Sequence, residues 1–400
     1  MWPLLLAALL AAEPLSFAEA LAMAEEVPLA VALEDAQARR AGLRDDLSRM
    51  PFNPVLQLQP GYRDLKTGGS GAEVYVSVMQ RLSVSGLGKK RARSLDAELS
   101  HDEALRALAR RVTRRHVASA WLAQWSAQTL QALAESEREG AARLVKDFER
   151  ALSAGEATRV DLEQARAFVA TAELNVLNAE GRVFETGIAL TRSLGLTADG
   201  PRVVAAELPR IDVDGLQRNL AEHAARSPGA LEAASRERVE AHKLEEITAA
   251  HRPGMAVGAT AWREGGGDVA ALLTWEIEIG AFDHGERERA DQVAQVALAK
   301  GQRTQAVVDA HAARVLALHE VRHTEAVLRA TEQGSVTAAQ ALVDVQRARL
   351  EAGEGSADEW VRARRALLEA QAAAIEARAA HALARFTLSE LVSASDGSPR

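Results

Sequence analysis

The sequence predicts a mainly helical protein that carries a small β part, with both parts written twice along the chain. Three observations predict this. Small apolar residues repeat at alternating spacings of three and four over long stretches, two shorter stretches alternate strictly between apolar and polar residues, and positions in one half recur about 198 residues later in the other. The composition agrees. Hydrophobic residues make up 48 % of the 400-residue chain but aromatics only 4 %, with 26 % charged. Such alanine- and charge-rich chains form long, closely packed helices more readily than compact cores of large side chains. A net charge of −8 argues against nucleic acid as a partner. The absence of cysteine excludes disulfides and thiolate metal sites.

The chain opens with MWPLLLAALLAA, a short apolar run that reads as a secretory signal over residues 1–12. It is too short to span a bilayer, and no later stretch reaches the roughly 20 apolar residues that a spanning helix needs. A membrane location would therefore have to use strands.

The first repeat is expected over 13–195 and the second over 213–393, joined by the proline-containing connector 196–212 and followed by a disordered tail, 394–400. Each repeat begins with a helical segment, over about 16–50 and about 213–250, each ending before a proline. Two strands follow. Val74, Val76 and Val78 alternate with Tyr75, Ser77 and Met79, and Val269, Ala271, Leu273, Trp275 and Ile277 alternate with Ala270, Leu272, Thr274 and Glu276. The glycine-rich stretches TGGSG (67–71) and EGGGD (264–268) suit hairpin tips. After Gly88 in the first half and Gly285 in the second, about 65 residues carry no proline, enough for a helix of about 100 Å. The turn glycines Gly155 and Gly353 send a second long helix back. Its seam runs through Leu162, Ala165, Val169, Ala172, Val176, Ala179 and Val183, and in the second copy through Trp360, Ala363, Leu367, Ala370, Ala374 and Ala377.

Four strands leave two open sheet edges, and long alanine-faced helices leave broad surfaces uncovered. Several chains could close the strands into one barrel and the helices into one tube. Apolar residues facing out and polar residues facing in are the pattern of a transmembrane β-barrel. The alternative is a soluble periplasmic coiled-coil scaffold or adaptor.

Five residues, HEVRH (319–323), match the zinc-protease signature, in which two histidines share a helical face with a glutamate as general base. The extended pattern fails, with Ala326 and Arg329 where glycine and histidine belong, and a slender helix offers no cleft for an open metal position. At a separation of 198 the two histidines pair with Trp121 and Trp125, which suggests a packing or interfacial role. A weaker reading has His311, His319 and His323 touching metal cargo along one stripe. No catalytic residue, cofactor or bound metal is expected.

The order of these motifs, VSGLGKKRAR and AFDHGERERA at the helix starts, ALSAGEATRVDLEQA and LEAGEGSADEWVRAR at the turns, resembles the TolC-like outer-membrane efflux proteins from about Leu15 to Val392. The resemblance implies a homotrimer with a 12-stranded barrel in outer-membrane lipid and a 12-helix periplasmic tunnel. It implies the outer-membrane channel of a tripartite efflux or type I secretion system, passing substrate from an inner-membrane pump through a periplasmic adaptor. Gly155, Gly353 and Gly355 would form the periplasmic tips that meet the adaptor. Asp161 and Glu359, six after the tip glycines, would ring the closed aperture, while the family's second acidic position is Gln164 and Arg362 here. Tyr62, Tyr75, Trp262 and Trp275, with Phe282, are the candidates for an aromatic girdle at the membrane surface.

Overall fold

A computed structural model describes residues 14–26, 28–43, 52–64, 70–82, 85–197, 200–213, 224–264, 267–277 and 284–393. The expected signal, Phe282, residues 67–69 and 265–266 of the two glycine-rich hairpin tips, and the tail lie outside the described residues. The elements are α1 (Phe17–Met23), α2 (Pro28–Ala41), β1 (Val55–Asp64), β2 (Ser70–Leu82), α3 (Leu87–Ala154), α4 (Arg159–Ser193), α5 (Pro228–Ala250), β3 (Met255–Arg263), β4 (Val269–Ile277), α6 (Glu286–Arg329), α7 (Thr337–Glu351) and α8 (Ala357–Ser393). The predicted order of helix, two strands and long helical hairpin is present in both halves. None of the described helices is long and apolar enough to cross a membrane.

The chain divides into two compact units, one of residues 1–31, 108–227 and 309–400, the other of residues 32–107 and 228–308. Both draw on both repeats, so compactness cuts across the duplication instead of following it.

In the second unit the four strands form one antiparallel sheet in the order β1-β2-β3-β4. The two repeats meet at its centre, where Tyr75 faces Trp262 and Ser77 faces Thr260. A glycine makes that junction possible: a Cβ on Gly258 would collide with the Val78 carbonyl oxygen and the Met79 sulfur. The helices of this unit are joined by ion pairs, Lys90 to Glu245 at 2.7 Å and Arg40 to Asp102 at 3.0 Å.

The duplication is exact to the residue only in places. Gly86 and Gly285, both at φ near 70°, stand immediately before α3 and α6. The structural partner of Gly285 is therefore Gly86 and not Gly88, as the sequence pattern suggested. The match of GKK with GER followed the charges, whereas the left-handed turn that launches the helix fixes the equivalence.

In the first unit one core surrounds Trp121, which is fully buried among Leu15, Val117, Leu122, Leu190, Val204 and Ile375. The indole N–H groups attach the irregular segments to this core. Trp121 Nε1 donates to the Leu15 carbonyl at 2.9 Å and Trp125 Nε1 to the Ala206 carbonyl at 2.8 Å. Leu15 also pairs with the connector, its amide donating to the Val203 carbonyl at 3.0 Å and its carbonyl accepting from Ala205 at 3.1 Å. A second cluster packs α3 against α4 below their turn, through Ala141, Leu144, Phe148, Leu162, Ala165, Phe168 and Ala172. The predicted seam is largely the buried one, although Phe168 takes the buried place expected of Val169. A π-helical segment, Ala330–Val336, separates α6 from α7 and has no counterpart in α3, which is one continuous 68-residue helix.

Candidate functional site

Strand register sorts the sheet residues onto two faces. One carries Leu56, Leu58 and Tyr62 from β1, Val74, Val76 and Val78 from β2, Ala259 and Ala261 from β3, and Leu273, Trp275 and Ile277 from β4. These side chains are uncovered: Leu273 is 80 % exposed, Trp275 72 % and Leu58 62 %. A continuous apolar face of this kind is not stable against water and needs a cover. The opposite face holds an open cup of about 270 Å³ lined by Gln57, Gln59, Tyr75, Ser77, Met79, Thr260, Thr274 and Glu276. Among the described residues β1 and β4 are each paired on one side only.

This sorting divides the four girdle candidates. Tyr62 and Trp275 lie on the apolar face. Tyr75 and Trp262 lie on the polar one, their rings stacked with centroids 6.2 Å apart and planes 16° from parallel. The candidates thus fall on two faces, because Tyr75 alternates with Val74 and Val76, and Trp262 is its register partner. The Tyr75 hydroxyl donates to Glu73 Oε2 at 3.4 Å, and Trp262 Nε1 to Glu264 Oε1 at 3.4 Å.

The helical turns repeat at the level of single hydrogen bonds. Gly155 (φ 80°) donates to the Leu152 carbonyl at 3.1 Å and Glu156 to that of Ala151 at 2.8 Å. Gly353 (φ 73°) donates to Leu350 at 3.1 Å and Glu354 to Arg349 at 2.9 Å. Both ends are Schellman turns, which need a left-handed residue after the helix. Gly355 donates to the Arg349 carbonyl at 3.1 Å and lies so close that a Cβ would sit 3.0 Å from the Leu350 nitrogen.

Asp161 and Glu359 occupy the third position of the returning helices. The Asp161 carboxylate accepts from the Thr158 amide at 3.0 Å and from the Thr158 hydroxyl at 2.5 Å, while its own amide donates to Thr158 Oγ1 at 3.2 Å. This capping box satisfies donors at the helix start. The Thr158 hydroxyl first, with the backbone amides of Thr158 and Ala357, holds the Asp161 carboxyl below the usual carboxylate range against the opposing effect of burial. In the second copy the Glu359 amide donates to Ser356 Oγ at 3.3 Å, but its carboxylate turns to Arg349 at 3.4 Å. The residue 198 before Arg349 is Ala151, so the first turn lacks that cation.

The HEVRH histidines are exposed on α6, their rings parallel with centroids 6.0 Å apart. Trp121 and Trp125 are buried within the chain, whereas the two histidines are not, so the pairs differ in their packing inside one subunit. The buried residues at this level are Ala317, Val321 and Thr324, which stand 199 residues after the buried Ala118, Leu122 and Trp125. The spacing falls to 198 only after Thr324, in the stretch that contains the π segment. Among the described residues no group of three acidic or histidine side chains is placed to hold a metal ion.

Sequence reasoning missed His381. Its ring nitrogen Nδ1 lies 3.1 Å from Thr324 Oγ1, and it lines a cleft with Arg210, Arg378 and Arg385. Burial first, then the Arg385 guanidinium, lowers its pKa, and Glu325 opposes them.

A four-stranded sheet with one bare apolar face, joined to duplicated long helical hairpins, defines a class: the chain has the fold of the TolC-like outer-membrane channels. Among solved structures it is similar to a membrane protein from Pseudomonas aeruginosa, with a TM-score of 0.78 at 17 % identity over 94 % of this chain and 90 % of that one. The outer membrane protein VceC from Vibrio cholerae gives 0.75 at 16 % identity over 94 % and 95 %. The open state of the MtrE outer membrane channel of Neisseria gonorrhoeae gives 0.72 at 16 % identity over 94 % and 88 %. No family model and no curated protein matches the chain by sequence.

Proposed function

We propose that the chain is one subunit of an outer-membrane channel that exports substrate passively, as the end piece of a tripartite efflux or type I secretion system. The observation that carries this reading is the sheet. Its apolar side chains are uncovered, its other face is polar, and both edge strands lack a second partner. Lipid on the apolar face and further copies of the same chain at the edges resolve both problems together. Three copies would supply twelve strands, enough for a barrel with an open lumen. One of the similar solved structures, MtrE, is an outer membrane channel, which supports this assignment.

In this reading the polar face lines the lumen, and Tyr62 and Trp275 sit on the lipid side. The turns at Gly155, Gly353 and Gly355 meet a periplasmic adaptor, and Asp161 and Glu359 ring the aperture. The channel needs no catalytic group, and HEVRH is part of a solvated helix face. Membrane fractionation followed by mass determination in detergent tests the proposal. A trimer in the outer-membrane fraction that conducts ions in planar bilayers is the expected result. A soluble monomer overturns it.

A further inference from the structure

The two aromatic rings on the polar face are out of place for a membrane anchor. The sequence has only two tyrosines and six tryptophans, and one of each stacks on the wet side of the sheet. There both residues are half-buried, on the face opposite the uncovered apolar side chains. Carboxylates flank them. Glu73 accepts the Tyr75 hydroxyl, Glu264 accepts the Trp262 indole N–H, and Glu276 stands in the adjoining cup. No lysine or arginine lines that cup among the described residues, and Met79 adds a polarisable thioether to its wall. Arg81, on the same strand, lies over the Phe52 ring at 5.0 Å.

From this placement we infer that the polar face carries a binding step for aromatic organic cations, with Tyr75 and Trp262 as its platform. The negative faces of the two rings attract a delocalised cation. The ring of a planar guest stacks on the same surface. The flanking carboxylates add long-range attraction and disfavour anions of equal size. Gln57, Thr260 and Thr274 keep the rest of the cup wettable, so a guest is held without being trapped. The inference rests on the channel reading, which turns this face toward the lumen. It adds a substrate class to that reading: planar, positively charged, partly aromatic molecules.

The test uses the purified full-length oligomer in detergent and ethidium as the probe, followed by fluorescence anisotropy. Saturable binding is expected, weakened about tenfold by Tyr75→Leu combined with Trp262→Leu, which keep apolar bulk but remove both rings. Trp275→Leu, on the opposite face, leaves it unchanged. Glu276→Gln retains the shape of the cup and weakens binding about threefold. Absence of saturable binding overturns the inference. So does equal loss in the Trp275 variant, which would place the dye on the detergent-covered face, or equal competition by the anionic dye 8-anilinonaphthalene-1-sulfonate. Conductance separates the two claims. A conducting channel that does not bind ethidium overturns this inference alone, whereas binding without conductance supports the site and overturns the channel reading.

Discussion

Arg364 on α8 holds Glu137 on α3 through two nitrogens, Nε at 2.9 Å and a terminal nitrogen at 2.7 Å from the same carboxylate oxygen. The Glu137 side chain is 4 % exposed, so this pair joins the outgoing helix of one repeat to the returning helix of the other beneath the surface. Removing one member of a buried pair leaves an uncompensated charge. Arg364→Ala should cost about 3–5 kcal/mol of stability, read as a lowered thermal midpoint. Replacing both residues by leucine should cost much less. Equal losses would mean that the contact contributes packing only.

Acid should weaken the fold through His381. Its folded pKa is lowered, mainly by burial, so the native state binds fewer protons than the unfolded chain. Stability is therefore constant above the unfolded histidine pKa of about 6.5 and declines as the pH drops below it. His381→Gln should flatten that part of the stability-against-pH curve. Denaturant melts at pH 7.5 and 5.5 on the two proteins provide the comparison, and parallel declines would assign the effect to other groups.

The acidic positions at the turns allow charge and capping to be separated. Asp161→Asn with Glu359→Gln keeps oxygen acceptors at both places but removes the charges. If these residues ring an aperture, that variant should lose cation selectivity in bilayer recordings, seen as a shift of reversal potential toward zero, while melting as the parent does. Asp161→Ala should in addition lower stability by about 1 kcal/mol, because the Thr158 cap loses its partner. An unchanged reversal potential in the charge-free variant would leave capping as their whole role.

The turn glycines should differ in sensitivity. Gly155→Ala and Gly353→Ala place a side chain in the left-handed region and should each cost about 1 kcal/mol. Gly355→Ala adds a clash with the Arg349–Leu350 backbone and should also speed amide exchange at Glu354. Hydrogen-exchange mass spectrometry over 147–162 and 345–360 would show these effects, and exchange in the Gly355 variant no faster than in the Gly353 variant would count against this account.

His319→Ala with His323→Ala should leave folding and conductance unchanged, since both rings project from an exposed face. One zinc per chain in the purified parent, lost in this variant, would overturn that expectation.

Much of this architecture was legible in the sequence because its signals are periodic. Alternation in β2 and β4, the alanine seams after Gly155 and Gly353, and the repeated prolines at 28 and 228 each follow from backbone geometry. The same alternation already set Tyr75 on the face opposite Val74 and Val76. The exchange of Gly88 for Gly86 came from following charges when a positive φ was the governing constraint. The π segment, Ala330–Val336, contains the Gly334-Ser335 pair, a sign of a weakened helix that does not by itself specify a π turn. Nor could spacing show that Glu359 turns to Arg349, or that a lone histidine on α8 lies against Thr324, because both depend on how separate helices meet.

The attachment of Leu15 to Val204, over a core that also holds Trp121 and Ile375, bears on how the chain is made. During synthesis, Trp121 emerges some 250 residues before the α8 side chains that complete its surroundings. Until then its indole, and the helix that carries it, remain adhesive. Contacts this distant in sequence close slowly. A product that ends before residue 375 would therefore lack Ile375 and Ala382 from this core and leave the surroundings of Trp121 open.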